Sequence, residues 1–225
     1  MLALFALAAI LAIEGAFAAP VDEEFKCPQF PLADNPNPKC TYSGAQAVEI
    51  TPAQILTVAP TSATCDWIIS NECRTNEQAA LWISKSFTQM GIFTKAEQAA
   101  LIALMAFESG EFKYNTNQQG HVGQGTRNMQ SGEYNLKYAQ SVPMLREPLQ
   151  AIGTWDLGKV LKLVLPDELS FGSAAWFLQT QCSPDIREGL KKGGEEGWAN
   201  YIKECVGTEP EPRKAYWQAA VKTLA

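Results

Sequence analysis

Histidine is nearly absent from this chain, which has 225 residues and a single histidine, His121. Catalysis by a Ser-His-Asp or Cys-His group would have to use that residue, and metal sites usually need several His or Cys ligands. The chain also lacks a Gly-x-Ser-x-Gly elbow, a His-Glu-x-x-His pair and a phosphate-binding loop. We therefore expect no metal and no cofactor, which leaves carboxylates as the candidates for acid–base chemistry.

Basic residues are also scarce. The chain has 18 Lys and Arg against 24 Asp and Glu, which gives a formal net charge of −6. Proteins that bind nucleic acid or anionic lipid depend on Lys and Arg contacts to phosphate, so this balance argues against both partners. We expect a monomer whose partner is a neutral or cationic polymer, with no nucleic acid and no membrane.

A long apolar run occurs at the N-terminus, where residues 1–13 carry no charged side chain. About 13 residues fall short of the roughly 20 that a membrane-spanning helix needs. The sequence Ala16-Phe17-Ala18 follows and matches the small-x-small pattern of a signal peptidase site. These features predict a signal peptide at 1–18 and a secreted, extracellular protein.

The rest of the chain contains an even number of cysteines, which in an exported protein predicts disulfides because the extracellular milieu is oxidising. They are Cys27, Cys40, Cys65, Cys73, Cys182 and Cys205. The sequence alone cannot choose among the possible pairings. Pairing in chain order would link Cys27 to Cys40, Cys65 to Cys73 and Cys182 to Cys205.

The chain divides into two regions that differ in proline content and in the spacing of apolar residues. Prolines recur from residue 19 to about residue 60, which predicts an N-terminal arm without regular elements. From 61 to 225, apolar residues recur with helical spacing, and no alternating pattern of useful strand length occurs. We therefore expect an all-α domain, or a mainly α domain with a small irregular or hairpin region at 111–131.

Cap residues place the individual helices. Asn76 is expected to cap a helix that Gly91 ends, and Thr94-Lys95-Ala96-Glu97 is a capping box before an apolar helix that ends at Gly110. Further helices are predicted at 134–140, 144–152, 157–165, 168–181, 184–191, 195–205 and 213–223.

Glu108 is the strongest candidate for chemistry. It lies at the end of the apolar helix, where Leu104 and Met105 precede it by one turn and Phe107 and Phe112 flank it. Desolvation by apolar neighbours and the negative end of the helix dipole both raise the pKa of a carboxyl group. A carboxyl that stays protonated near neutral pH is what a glycosidic general acid requires. The alternative is a surface glutamate in a frayed last turn.

The polar loop that follows supplies candidate ligands for a sugar. Arg127, Asn128 and Gln130 can donate hydrogen bonds to hydroxyl and acetamido oxygens. Tyr114, Tyr134 and Tyr138 could add stacking faces or hydroxyl groups. Loops of more than about 12 residues are uncommon in compact domains without a role, which favours a functional interpretation over a plain surface loop.

At these residues the chain resembles the lysozyme-like superfamily of goose-type lysozymes, lytic transglycosylases and plant-type chitinases. Glu108-Ser109 with Phe112 is similar to the Glu-Ser-x-x-Phe that closes the catalytic helix of lytic transglycosylases, and Met129-Gln130 to the end of their Gly-Leu-Met-Gln. The resemblance implies a lysozyme-like multi-helix domain with Glu108 as the catalytic acid. It also implies that Ser109 and Gln130 lie by the substrate groove. Gly125 and Asn128 depart from the second motif.

These features predict a secreted glycosidase of the lysozyme, chitinase or chitosanase kind. It would cleave β-1,4 bonds in an amino-sugar polysaccharide such as chitin, chitosan or the peptidoglycan of cell walls. The loop between Glu111 and Glu133 contains no Asp or Glu. A second catalytic carboxylate would therefore have to be Glu111, Glu133 or a more distant residue such as Asp156 or Asp167, and Glu133 is the candidate chosen. The alternative prediction is a secreted carbohydrate-binding or effector protein that keeps the scaffold without catalysis.

Overall fold

The computed structural model describes residues 47–66 and 71–225, and these residues are mainly helical. The α-helices are α1 (Pro52–Val58), α2 (Asn76–Met90), α3 (Lys95–Glu108), α4 (Gly132–Ser141), α5 (Arg146–Ile152), α6 (Leu157–Val164), α7 (Asp167–Thr180), α8 (Pro184–Lys191), α9 (Gly194–Asn200) and α10 (Lys214–Leu224). Within these ranges no β-strand forms, and Gly125 makes isolated bridges with Thr116 and Gln130. The predicted all-α class is confirmed.

Helix α3 is the centre of the core. Every residue from Glu97 to Ala106 is buried, and α1, α7, α8 and α10 pack around the helix. Its many alanines leave room for these neighbours to approach closely. The buried Glu97 carboxylate accepts a 2.8 Å hydrogen bond from Arg187 Nε on α8, so its charge is paired where burial would otherwise be costly.

Helix α1 corrects the prediction of an irregular arm up to residue 60. Thr51 caps it, with Gln54 completing a capping box, and Pro52 occupies the first turn, where a missing N–H costs nothing. Ile55 and Val58 are buried against the core. The proline was interpreted as a helix breaker, although at this position it favours a helix start.

Most predicted helices form with ends shifted by no more than two residues, and two of them differ from the prediction in other ways. Helix α2 is capped by Thr75 instead of Asn76, and Thr75 forms a capping box with Gln78. The helix predicted at 195–205 consists of α9 followed by a π-helical segment, Tyr201–Val206, that ends at the left-handed Gly207. π-Helical turns are rare and occur frequently at functional sites.

Disulfides join Cys65 to Cys73 and Cys182 to Cys205. Both are pairs that chain order suggested. Cys27 and Cys40 lie outside the described residues, as do the signal peptide predicted at 1–18 and most of the proline-rich arm. Among the described residues, no helix has the length and apolar character needed to cross a bilayer.

Candidate functional site

A cavity of about 280 Å³ opens beside the C-terminal end of α3. Its apolar wall includes Leu104, Met129, Phe177 and Val206. Its polar lining consists of Glu108, Gln124, Asn128, Gln130, Ser131, Tyr134, Thr208 and Arg213. The cavity therefore suits a small molecule that combines a carbon skeleton with oxygen groups.

Glu108 and Arg213 form an ion pair at the cavity. The guanidinium donates from Nε (2.8 Å) and from Nη2 (2.5 Å), and both bonds end on the same carboxylate oxygen, Oε1. Oε2 receives no hydrogen bond from the described residues, and the Glu108 side chain is 17% exposed to solvent. One oxygen is thus fixed by the protein while the other is available to a ligand.

The environment of Glu108 also affects its protonation. Burial raises the pKa of this carboxyl above 4.5, and the charge and hydrogen bonds of Arg213 oppose the rise without cancelling it. The pKa of Glu111, three residues later, shifts in the opposite direction. Burial pushes the pKa of Glu111 upward, but hydrogen bonds from Thr61 and Tyr216 and the charge of Lys113 leave it below 4.5.

Buried amides form the floor of the cavity. Asn128 Nδ2 donates to Gln130 Oε1 (3.2 Å), and Gln130 Nε2 donates to Asn135 Oδ1 (2.8 Å). Asn128 Oδ1 accepts hydrogen bonds from Thr126 Oγ1 and Ser173 Oγ. Each amide nitrogen has two protons, so Asn128 and Gln130 each retain one N–H that these contacts do not use. The floor is held in place and still has donors to offer.

Unusual backbone conformations occur at this cavity and close in the chain to its lining residues. In the described ranges, positive φ angles at non-glycine residues occur at Glu111 (59°), Phe112 (68°), Thr126 (64°) and Met129 (48°). Glu111 and Phe112 come three and four residues after the end of α3, and Met129 lines the cavity. Such conformations cost on the order of 1–3 kcal/mol each and cluster at binding and catalytic sites. Their location supports a functional role for this region.

A second cavity, of about 240 Å³, adjoins the first. The two share Glu108, Gln124 and Met129. Tyr114 lines the second cavity together with Thr116, Asn117, Gln118 and Gln119. The structure thus brings Glu108, Asn128, Gln130 and Tyr134 to one cavity and Tyr114 to the next.

Arg127 does not reach either cavity, which corrects its predicted role. Its side chain is 0% exposed and donates to the backbone carbonyls of Phe112 (2.9 Å), Tyr114 (3.1 Å) and Glu72 (2.6 Å). Burial lowers the pKa of Arg127 to about 10, with Asp167 favouring the charged form, so it remains a cation at neutral pH. Its role is to satisfy carbonyls in the strained turn after α3.

Three other predicted site residues also lie away from the cavity. The Tyr138 hydroxyl is buried and donates to the Leu169 carbonyl (2.9 Å). Ser109 is buried at the end of α3, where its Oγ donates to Met105 O and accepts from Phe112 N. Glu133 is exposed in the first turn of α4 and does not line the cavity. These placements remove Tyr138 and Ser109 from ligand contact and leave Glu108 without a second carboxylate.

Several cavity residues were missed by sequence reasoning. Arg213 lies 105 residues after Glu108, and no local pattern links them. Phe177 belongs to the strongly apolar α7, whose composition favours a core position, although its ring also packs edge-on against Tyr134 with the ring centres 4.8 Å apart. Val206 is the last residue of a π-helical segment that helical periodicity does not reveal, and Thr208 lies two residues beyond it.

The donor set of the cavity does not fit a metal centre. Its carboxylate is paired with Arg213, and its other polar groups are amides and hydroxyls. His121 is exposed in the loop and lies outside the cavity, and the cysteines at 65, 73, 182 and 205 are all in disulfides. In the described part of the chain, no group of three or more His, Cys, Asp or Glu side chains could hold a metal ion.

Comparison with curated proteins finds one kind of similarity. The chain is 46% identical over 150 residues to a protein of Fusarium oxysporum (strain Fo5176) named bifunctional dioxygenase (DOX)-epoxy alcohol synthase (EAS). The match covers 64% of this chain and 12% of the relative, so the matched segment is about an eighth of that protein's length. No family model and no solved structure matches the chain.

This relative overturns the lysozyme-like identification and the glycosidase prediction. Its name describes oxygenation and epoxy alcohol synthesis, which are not sugar cleavage. The predicted amino-sugar partner, the association with chitin, peptidoglycan and cell walls, and the alternative carbohydrate-binding or effector role have no support either. The motifs misled because each contains only a few residues that commonly occur at helix ends and in polar loops.

Proposed function

We propose that this chain works in oxygenase chemistry and binds an oxygenated aliphatic molecule of the epoxy alcohol class in the cavity beside Glu108. The observation that carries the proposal is the pairing of the Fusarium similarity with this cavity. The matched segment is a small part of the relative, so the activity named there reaches this chain only as a proposal.

The lining of the cavity supports this ligand class. Leu104, Phe177 and Val206 would cover the carbon chain. Oε2 of Glu108 would accept a hydrogen bond from the alcohol, and the unused N–H of Asn128 or Gln130 would donate to the epoxide oxygen. A hydrogen bond to a charged group contributes about 1.5–3 kcal/mol and one between neutral groups about 1 kcal/mol.

The proposal assigns binding and proton exchange to these residues and does not assign the activation of O₂ to them. Dioxygenation needs a metal or another redox group, and the donor set of the cavity does not fit a metal. Glu108 needs neither, because a carboxyl group with a raised pKa can exchange a proton with a ligand oxygen.

Titration calorimetry with epoxyhexanol and hexanol tests this proposal. Hexanol keeps the carbon chain and the hydroxyl group but lacks the epoxide. We expect epoxyhexanol to bind about fivefold more tightly, which corresponds to one added hydrogen bond of about 1 kcal/mol. Equal affinity for the two alcohols, or binding of neither, would refute the proposal.

A matched pair of variants locates the binding site. Glu108→Gln removes the charged acceptor and is expected to weaken the binding of both alcohols by about tenfold. Glu133→Gln makes the same chemical change at an exposed position outside the cavity and should leave both affinities unchanged. Equal losses in the two variants would place the ligand elsewhere.

A further inference from the structure

The disulfide Cys182–Cys205 connects two walls of the Glu108 cavity. Cys182 follows the end of α7, the helix that supplies Phe177, and Cys205 directly precedes the wall residue Val206. The π-helical segment Tyr201–Val206 packs on α8 and α9, so the disulfide is its covalent tie to α7.

Beyond Cys205, non-covalent contacts hold the chain. Gly207 adopts φ 77°, and Thr208 N donates to the Ile202 carbonyl at 3.2 Å. The next residue, Glu209, accepts a 3.0 Å hydrogen bond at its carbonyl from Arg213 Nη1. A short segment thus links the disulfide to the guanidinium that fixes Glu108.

We propose that Cys182–Cys205 is a redox-sensitive link that controls the Glu108 cavity through residues 206–209 and Arg213. Reduction by an external dithiol breaks the S–S bond and supplies two electrons and two protons. Two thiols form, and the dithiol is oxidised to its own disulfide. Residues 206–209 then loosen, the wall formed by Val206 and Thr208 moves, and Arg213 loses a fixed anchor at Glu209.

The chain offers a matched control in its other described disulfide. Cys65–Cys73 joins two residues that are 8 apart in the chain and precede α2, and neither cysteine lines the cavity. Replacing Cys182 and Cys205 by serine, or Cys65 and Cys73 by serine, makes the same chemical change at two places. Reversible treatment of the parent protein with a dithiol adds a comparison that needs no substitution.

Hydrogen exchange at the amides of residues 206–209, referenced to the central helix α3, tests the link without any ligand. We expect exchange to become about tenfold faster in Cys182→Ser/Cys205→Ser and in the reduced parent, and to stay unchanged in Cys65→Ser/Cys73→Ser. Unchanged exchange in the first variant, or an equal rise in both variants, overturns the proposal.

A ligand measurement extends the test and rests on the proposed function. Epoxyhexanol should bind about fivefold more weakly to Cys182→Ser/Cys205→Ser than to the parent, while Cys65→Ser/Cys73→Ser keeps the parent affinity. Parent-like binding by the first variant refutes control of the cavity. If the oxidised parent does not bind epoxyhexanol, the proposed function fails, and the exchange measurement still decides whether the link exists.

Discussion

Tyr134 and Tyr138 lie one turn apart on α4, and only Tyr134 reaches the cavity. The Tyr134 ring packs edge-on against Phe177 with ring centres 4.8 Å apart, which makes the pair part of the cavity wall. The Tyr138 ring lies 4.9 Å from Trp176 in the core, and its hydroxyl is bonded to the Leu169 carbonyl. Neighbouring tyrosines on one helix thus contribute separately to the cavity wall and to the core.

Substitution of these tyrosines should separate the two roles. Tyr134→Ala removes part of the wall and is expected to weaken epoxyhexanol binding by about fivefold, since it exposes apolar ligand surface. Tyr138→Phe should lower the free energy of unfolding by about 1 kcal/mol through the lost hydrogen bond and leave ligand affinity unchanged. Calorimetry and urea unfolding measure the two effects, and the reverse pattern would contradict this assignment.

Arg127 is expected to be a stability residue. Arg127→Met keeps much of the side-chain volume but leaves the carbonyls of Phe112, Tyr114 and Glu72 without this donor. Unsatisfied buried polar groups cost about 1–3 kcal/mol, so the free energy of unfolding should fall by about 3 kcal/mol or more. Urea unfolding measures the loss. A change below about 1 kcal/mol would show that water or other donors replace the guanidinium.

Gly125 and Gly189 should respond in opposite ways to alanine. A Cβ at Gly125 would lie 2.5 Å from the Asn115 carbonyl oxygen and 2.8 Å from Leu161, so Gly125→Ala must displace backbone in the loop and is expected to destabilise the protein. A Cβ at Gly189 in α8 meets nothing within 4 Å, and Gly189→Ala should stabilise the helix by up to about 1 kcal/mol. Thermal unfolding of both variants provides the comparison, and equal shifts would contradict it.

Glu108 and Glu111 should give opposite pH dependences of stability. The raised pKa of Glu108 means that the folded state holds this proton more tightly than the unfolded state does. Its stabilising contribution is therefore present below about pH 4.5 and is lost as pH rises through the folded pKa. The lowered pKa of Glu111 reverses the sign, so its contribution is present above about pH 4.5 and is lost as pH falls.

Urea unfolding across about pH 3 to pH 8 tests these signs in the parent, Glu108→Gln and Glu111→Gln. As pH rises, the free energy of unfolding of the parent should fall relative to that of Glu108→Gln. As pH falls, the free energy of unfolding of the parent should fall relative to that of Glu111→Gln. Parallel trends in the two variants would show that the two carboxyl groups do not differ as described.

Local patterns in the sequence were sufficient for most of the fold. The Thr94 cap, the apolar run after it and Gly110 predicted α3, because capping and helical periodicity depend on residues that are close in the chain. Helix α1 was missed because a proline can end a helix or begin one. The split of the predicted 195–205 helix was missed because a π-helical turn has no clear periodic signature.

The site was harder to predict because its contacts are long-range. The apolar neighbours of Glu108 indicated a raised pKa, which depends on local burial, whereas the Arg213 contact depends on how α10 packs on α3. Arg127 was assigned to ligand binding because its side chain can donate hydrogen bonds to the oxygens of a sugar. The strained turn after α3 needed a buried donor for its carbonyls, and the sequence does not show that need.

The most direct test of the central claim is an NMR titration of the parent protein with epoxyhexanol. Chemical shift changes are expected at the side-chain amides of Gln124, Asn128 and Gln130 and at the methyl groups of Leu104 and Val206. The absence of changes would contradict the account. So would changes concentrated at the separate apolar cavity beside Trp198 and Trp217, because the ligand would then bind away from Glu108.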